Sequence, residues 1–218
     1  PDNSNVLRVE EMRCWHAVGG APWAPLWLKA VDGVSFELRA GESLGVVGAS
    51  GCGKSTLCRA LMGLNTIRGG RVELLGHNLL ALRGKRLRVA RRALQMVFQD
   101  PLACLNPALS VADAIADPLL IHGICNPSAA RDRARDLLAR VGLAPAEQFQ
   151  NRLPRQLSGG QQQRVAIARA LALEPTVLIC DESVSMLDAE VQADVLALLR
   201  ELQRDLGLAM IFITHDLS

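Results

Sequence analysis

One stretch, Gly48-Ala49-Ser50-Gly51-Cys52-Gly53-Lys54-Ser55-Thr56, restricts what this chain can fold into more than any other. It meets the pattern G-x-x-x-x-G-K-S/T at every required position. The residues before it, Ser43-Leu44-Gly45-Val46-Val47, form a short apolar run suited to a buried parallel strand. Those after it place Leu57, Ala60, Leu61 and Leu64 on one face of an amphipathic helix. A glycine turn between strand and helix need not bind anything. Here, however, the glycines let successive N–H groups curl around a phosphate chain, and the helix start adds positive partial charge. Lys54 can reach the β- and γ-phosphates, and the Ser55 hydroxyl suits Mg²⁺. The stretch reads as a nucleotide-binding loop.

The flanking segments extend the same logic. Val6 to Cys14 and Val31 to Leu38 have strand-like spacing, with loop chemistry expected at Gly19-Gly20-Ala21-Pro22-Trp23-Ala24-Pro25. Trp15 or His16 offers a flat ring for a nucleobase, against the plainer reading of a buried or surface strand residue. Gly69-Gly70 opens a turn into a strand over Arg71–Leu75. Arg83, Lys85, Arg86, Arg88, Arg91 and Arg92 crowd a short helix, read as a solvated face rather than an anion-binding patch. Leu94–Phe98 is a short strand ending at Gln99-Asp100-Pro101.

From about 101 to 157 the pattern turns helical. Ser110 starts a helix that Pro118 should bend or end. Asn126-Pro127-Ser128 starts another, with Ala130, Ala134, Leu137, Leu138 and Val141 inward and Gly142 as the stop. Alternation then resumes: a helix over Gln161–Leu173, a strand over Thr176–Cys180, a helix through Val191–Leu202 and a strand over Ala209–Thr214. Such alternation predicts a mostly parallel sheet with ligands beyond the strand C-termini. Gly48, Gln99, Asp181 and His215 each follow such a strand.

A second set of chemical residues sits at those ends. Asp181 can hold Mg²⁺, and Glu182 can orient and deprotonate an attacking water. His215 can hydrogen-bond the γ-phosphate or the water. In Leu157-Ser158-Gly159-Gly160-Gln161, Ser158 is a helix N-cap and the glycines expose N–H groups, making a second anion cradle without a lysine. It reads either as an ordinary capped turn or as a lid for a γ-phosphate.

Taken together, Gly48–Thr56, Gln99, Leu157–Gln161, Leu178–Glu182, Ser185-Met186-Leu187-Asp188 and His215 resemble the Walker A, Q-loop, signature, Walker B, D-loop and H-loop motifs of ABC-type ATPases, in family order. Leu28–Phe36 and Met96–Pro107 further resemble the ATPase subunits of bacterial oligopeptide, dipeptide and nickel importers. The resemblance implies a P-loop, RecA-like α/β core over about 1–100 and 158–218, with an antiparallel β subdomain and a helical insert over about 101–157. It also implies that the C-terminal part of the family domain is absent, as expected for a fragment. It assigns Glu182, His215 and Gln99 to catalysis, and Ser55, Gln99 and Asp181 to Mg²⁺. ATP falls to Gly48, Ala49, Ser50, Gly51, Cys52, Gly53, Lys54, Ser55 and Thr56 of one subunit. The other subunit then supplies Ser158, Gly159, Gly160, Gln161 and Asp188. Departures such as Ala49, Leu102, Ser183 and Met186 remove no catalytic group, while His16 stands where an aromatic usually stacks on adenine.

The expected function is thus binding and hydrolysis of ATP to drive import of peptides or a related small solute, nickel included. The implied partners are a second ATP-binding subunit, membrane permease subunits and a solute-binding protein. The implied location is the cytoplasmic face of the inner membrane. Two rivals are a soluble ABC-type ATPase acting on nucleic acid or ribosomes, and a module that binds ATP and switches without hydrolysis. A net charge of +2 and 3% aromatics argue against nucleic acid as a general partner. The six cysteines form no C-x-x-C pair, and no apolar run approaches the ~18 residues of a membrane span, so membrane attachment would come through a partner.

Overall fold

The computed structural model describes residues 5–21, 23–181 and 188–214. Within them two four-stranded sheets share one body. Strands β1 (Asn5–Ala21), β2 (Ala24–Arg39), β4 (Gly69–Leu74) and β5 (His77–Asn78) form an antiparallel sheet in the order β2-β1-β4-β5. Strands β3 (Ser43–Val47), β6 (Leu94–Val97), β7 (Val177–Asp181) and β8 (Ala209–Thr214) form a parallel sheet in the order β3-β8-β7-β6. The helices are α1 (Lys54–Leu61), α2 (Gly84–Ala90), α3 (Val111–Ile121), α4 (Pro127–Arg140), α5 (Gly159–Leu171) and α6 (Ala189–Leu206).

The two-residue period of a strand explains the layering. On β7, Leu178 and Cys180 face a core built with α3, α4, α5 and α6. Val177 and Ile179 face the opposite core, which they share with α1 and the antiparallel sheet. A strand buried on both faces must be apolar throughout, as Val177-Leu178-Ile179-Cys180 is. Its next residue, Asp181, is charged and still only 6% exposed.

Two local expectations change, and a third narrows. The strands of the β1–β2 hairpin run on through Gly19 and Gly20 to an Ala21–Ala24 pair, because cross-strand pairing of Ala17 with Trp27 and Gly19 with Leu26 outweighs the loop-like composition. Gly69 and Gly70 lie in β4 rather than in a turn; Gly70 has φ +93, and a Cβ there would lie 2.4 Å from the Glu10 carbonyl oxygen. Pro118 sits inside α3 without ending it, since Ile115, Pro118 and Leu119 are buried and hold the last turn in place. Both insert helices otherwise start as expected, with Ser110 accepting from the Asp113 N–H and Asn126 from the Ala129 N–H.

Candidate nucleotide site

Register brings the strand ends to one edge of the parallel sheet. Val47 pairs with Thr214, Asp181 with Ile213, and Val97 with Cys180. Gly48, the strand ends at Asp181 and Thr214, and the Phe98-Gln99 segment therefore lie on the same side of the sheet. Parallel sheets bind ligands at this side, where loops meet helix N-termini.

The loop after β3 is shaped around its lysine. Lys54 is 8% exposed, and its Nζ donates to the carbonyls of Gly48 at 2.6 Å and Ala49 at 2.9 Å. Burying an ammonium is tolerable only when its donors are met, so the loop is curled to meet them. Gly51 and Gly53 have φ of +79 and +101, the left-handed region that favours glycine. A Cβ on Gly53 would lie 2.1 Å from the Ala30 carbonyl oxygen, so β2 backs directly onto the start of α1. Because the Ala30 backbone makes this contact, no side chain in the sequence signals it. Trp15, one of the two rings proposed for base stacking, donates from Nε1 to Asp32 at 3.2 Å and lies under Lys29, residues two after and one before Ala30. His16 pairs across the hairpin with Leu28.

Ser55 and Asp181, 126 residues apart in sequence, meet here: Ser55 Oγ donates to Asp181 Oδ1 at 3.3 Å. Two hard oxygens at one point match the donor chemistry of Mg²⁺. Beneath them burial, together with the charge of Asp181, pushes the Cys58 thiol far above its ordinary range. Gln99 lies exposed, two residues beyond β6.

The second cradle forms elsewhere in the chain. Ser158 Oγ accepts from the Gln161 N–H at 3.4 Å, and the Ser158 N–H donates to Gln161 Oε1 at 3.0 Å, a reciprocal capping box. Ser158 and Gly159 are exposed. Asp188 caps α6 by accepting from the Val191 N–H at 3.0 Å, and a Cβ on Gly160 would meet Val191 Cγ1 at 2.5 Å. The starts of α5 and α6 are thus packed together. Among the described residues no hydrogen bond joins this pair of helix starts to the Lys54 loop. Glu182, Ser185, Met186, Leu187 and His215 lie outside the described residues, as do Ser183 and Pro22.

The sequence model of a family described as "ABC transporter" matches residues 31–185. The chain is 51% identical over 195 residues to the oligopeptide transport ATP-binding protein OppF of Salmonella typhimurium, covering 89% of this chain and 58% of that protein. It is 50% identical to OppF of Escherichia coli over 98% of this chain and 65% of that one. It is 49% identical to the glutathione import ATP-binding protein GsiA of Pectobacterium atrosepticum, over 87% of this chain and 30% of that one. The chain therefore spans less than two thirds of these relatives. Among solved structures, a dimeric post-hydrolysis state of the ATP-binding cassette MJ0796 bound to ADP and Pi superposes with TM-score 0.82 at 30% identity, covering 96% of this chain and 88% of that one.

Proposed function

The chain belongs to the ABC transporter family, and on that premise we propose that it binds and hydrolyses ATP to drive solute import through a membrane permease. The observation that carries this reading is the joint placement of a buried Lys54, held over its own loop carbonyls, and the Ser55–Asp181 oxygen pair. Phosphate oxygens compete for Lys54 better than neutral carbonyls do, because a charge-assisted pair is the stronger bond. On nucleotide binding Lys54 turns from Gly48 and Ala49 to the phosphates, and the loop N–H groups take the remaining oxygens.

Ser55, Asp181 and Gln99 would hold Mg²⁺, which supplies neutralisation of developing phosphate charge. Glu182, next after Asp181, is proposed to hold the attacking water and take its proton, and His215 to fix the γ-phosphate side. Hydrolysis then needs no covalent step with the protein, only positioned charge and a base.

The turn at Ser158 carries no cation of its own and shares no hydrogen bond with the Lys54 loop among the described residues, which supports a site completed by a second subunit. In that arrangement Ser158, Gly159, Gly160, Gln161 and Asp188 of one subunit close over nucleotide held by Lys54 of the other. Dimeric structures of MJ0796, similar in fold, favour the same reading. Among the described residues no helix is long and apolar enough to cross a membrane. Attachment at the cytoplasmic face is therefore assigned to permease partners, with a solute-binding protein delivering cargo. Peptides are the favoured cargo, on the names of the OppF relatives.

Glu182→Gln tests the base. The variant is expected to bind ATP with unchanged affinity in an equilibrium titration while phosphate release stalls. Hydrolysis at the unmodified rate would remove Glu182 from the mechanism.

A further inference from the structure

Helix α3 ends on Gly123, which has φ +62, and the N–H groups of His122, Gly123 and Ile124 bond back to Pro118, Leu120 and Leu119. That leaves the carbonyls of Ile121 and His122 needing donors from outside the helix. Both find arginines from the basic run read as a solvated face. Arg88 donates to the Ile121 carbonyl. Arg92 donates from Nη2 to the His122 carbonyl at 2.9 Å and from Nε to His122 Nδ1 at 3.0 Å. Two cations at a helix C-terminus also complement its dipole.

The place of Arg92 in the chain gives this contact reach. Arg92 stands two residues before β6, and Gln99 stands two residues after it. One side chain therefore connects the end of α3 to the root of the strand that leads to Gln99. The bond to Nδ1 needs that nitrogen as an acceptor, which only the neutral ring provides. Burial, then the charges of Arg92 and Arg88, hold the His122 titration below the ordinary histidine range. Those arginines, from the end of α2 and the turn after it, are the charged groups that act on the ring.

We propose that Arg92 and His122 form a proton-released pin that fixes the helical layer to the strand leading to Gln99, making both positioning residues. Because the ring titrates lower in the folded protein, the pin is fully formed above about pH 6.5 and is lost as pH falls through the folded value. Protonation turns an acceptor into a third cation beside two arginines. The pin stands on the contacts themselves; its use in coupling rests on the ATPase reading above. A motion that draws the end of α3 away from the root of β6 must open it.

The test uses the 218-residue chain and compares it with His122→Asn and Arg92→Ala. Asparagine offers an acceptor near the Nδ1 position that does not titrate. Hydrogen exchange at the Gly123 and Ile124 amides is followed at about pH 7.5 and at a lower pH where NMR shows the His122 ring of the unmodified chain protonated, each variant being compared with the unmodified chain at the same pH. Relative to His122→Asn, protection in the unmodified chain is expected to fall roughly threefold to tenfold at the lower pH, the worth of one hydrogen bond. Arg92→Ala should lose protection at both, with the His122 ring titrating nearer its ordinary value by NMR. An identical pH response in the unmodified chain and His122→Asn would overturn the pin, and this comparison decides even if Arg92→Ala does not fold. For coupling, kcat but not KM for ATP should vary with pH in a way His122→Asn lacks. Superimposable kcat profiles would overturn the positioning role, whereas no hydrolysis at any pH would instead overturn the ATPase reading.

Discussion

The Lys54 loop and the Ser158 turn are both glycine-bearing helix starts, and their surroundings set them apart. The first encloses a lysine, shares a hydrogen bond with a buried aspartate and is backed by the Ala30 carbonyl. The second is exposed, carries no cation and uses its own Gln161 side chain to satisfy a backbone N–H. A helix start alone attracts an anion by only about 0.3–1 kcal/mol in water. The loop is therefore equipped to hold a polyphosphate, whereas the turn can add to a phosphate already held. The contrast separates a binding element from a completing one.

Lys54→Ala is the strongest way to break that contrast. It removes the charge and the lysine donor to the Gly48 and Ala49 carbonyls, the latter keeping only the Cys52 N–H, and phosphate release should fall about 10²–10³-fold. Paired glycine substitutions come next. Gly53→Ala forces a side chain to φ +101 and against a backbone oxygen, which should cost about 1–3 kcal/mol in denaturant unfolding. Gly160→Ala meets the Val191 side chain but from a backbone with no left-handed φ to strain, and should cost less. Equal losses would mean that the two helix starts are equally constrained. Ser158→Ala has the smallest effect, removing one cap for about 1 kcal/mol of stability. Nucleotide affinity of the isolated chain, read by titration, should not change; a large loss would make the turn a binding element after all.

Much of this was legible because the signals are local. Strand, glycine loop and helix follow each other within twenty residues, and Ser158 with Gln161 is a capping box readable at a spacing of three. Asp181 was legible as a charge closing an apolar run. What escaped depends on distant partners. The composition of Gly19–Pro25 is that of a loop, yet pairing across the hairpin keeps it extended. Arg88 and Arg92 look solvated in sequence because the carbonyls they reach lie about thirty residues on. Pro118 looks like a helix end until Ile115 and Leu119 are seen buried around it.

The central claim is that one working site takes Lys54 from one chain and Ser158 from another. Complementation tests it most directly: Lys54→Ala and Ser158→Arg chains, each unable to hydrolyse ATP alone, are mixed and phosphate release is measured. The mixture should recover hydrolysis, because a mixed dimer rebuilds one site with both cradles intact. A mixture as inactive as its components, with mixed dimers demonstrably formed, would contradict it.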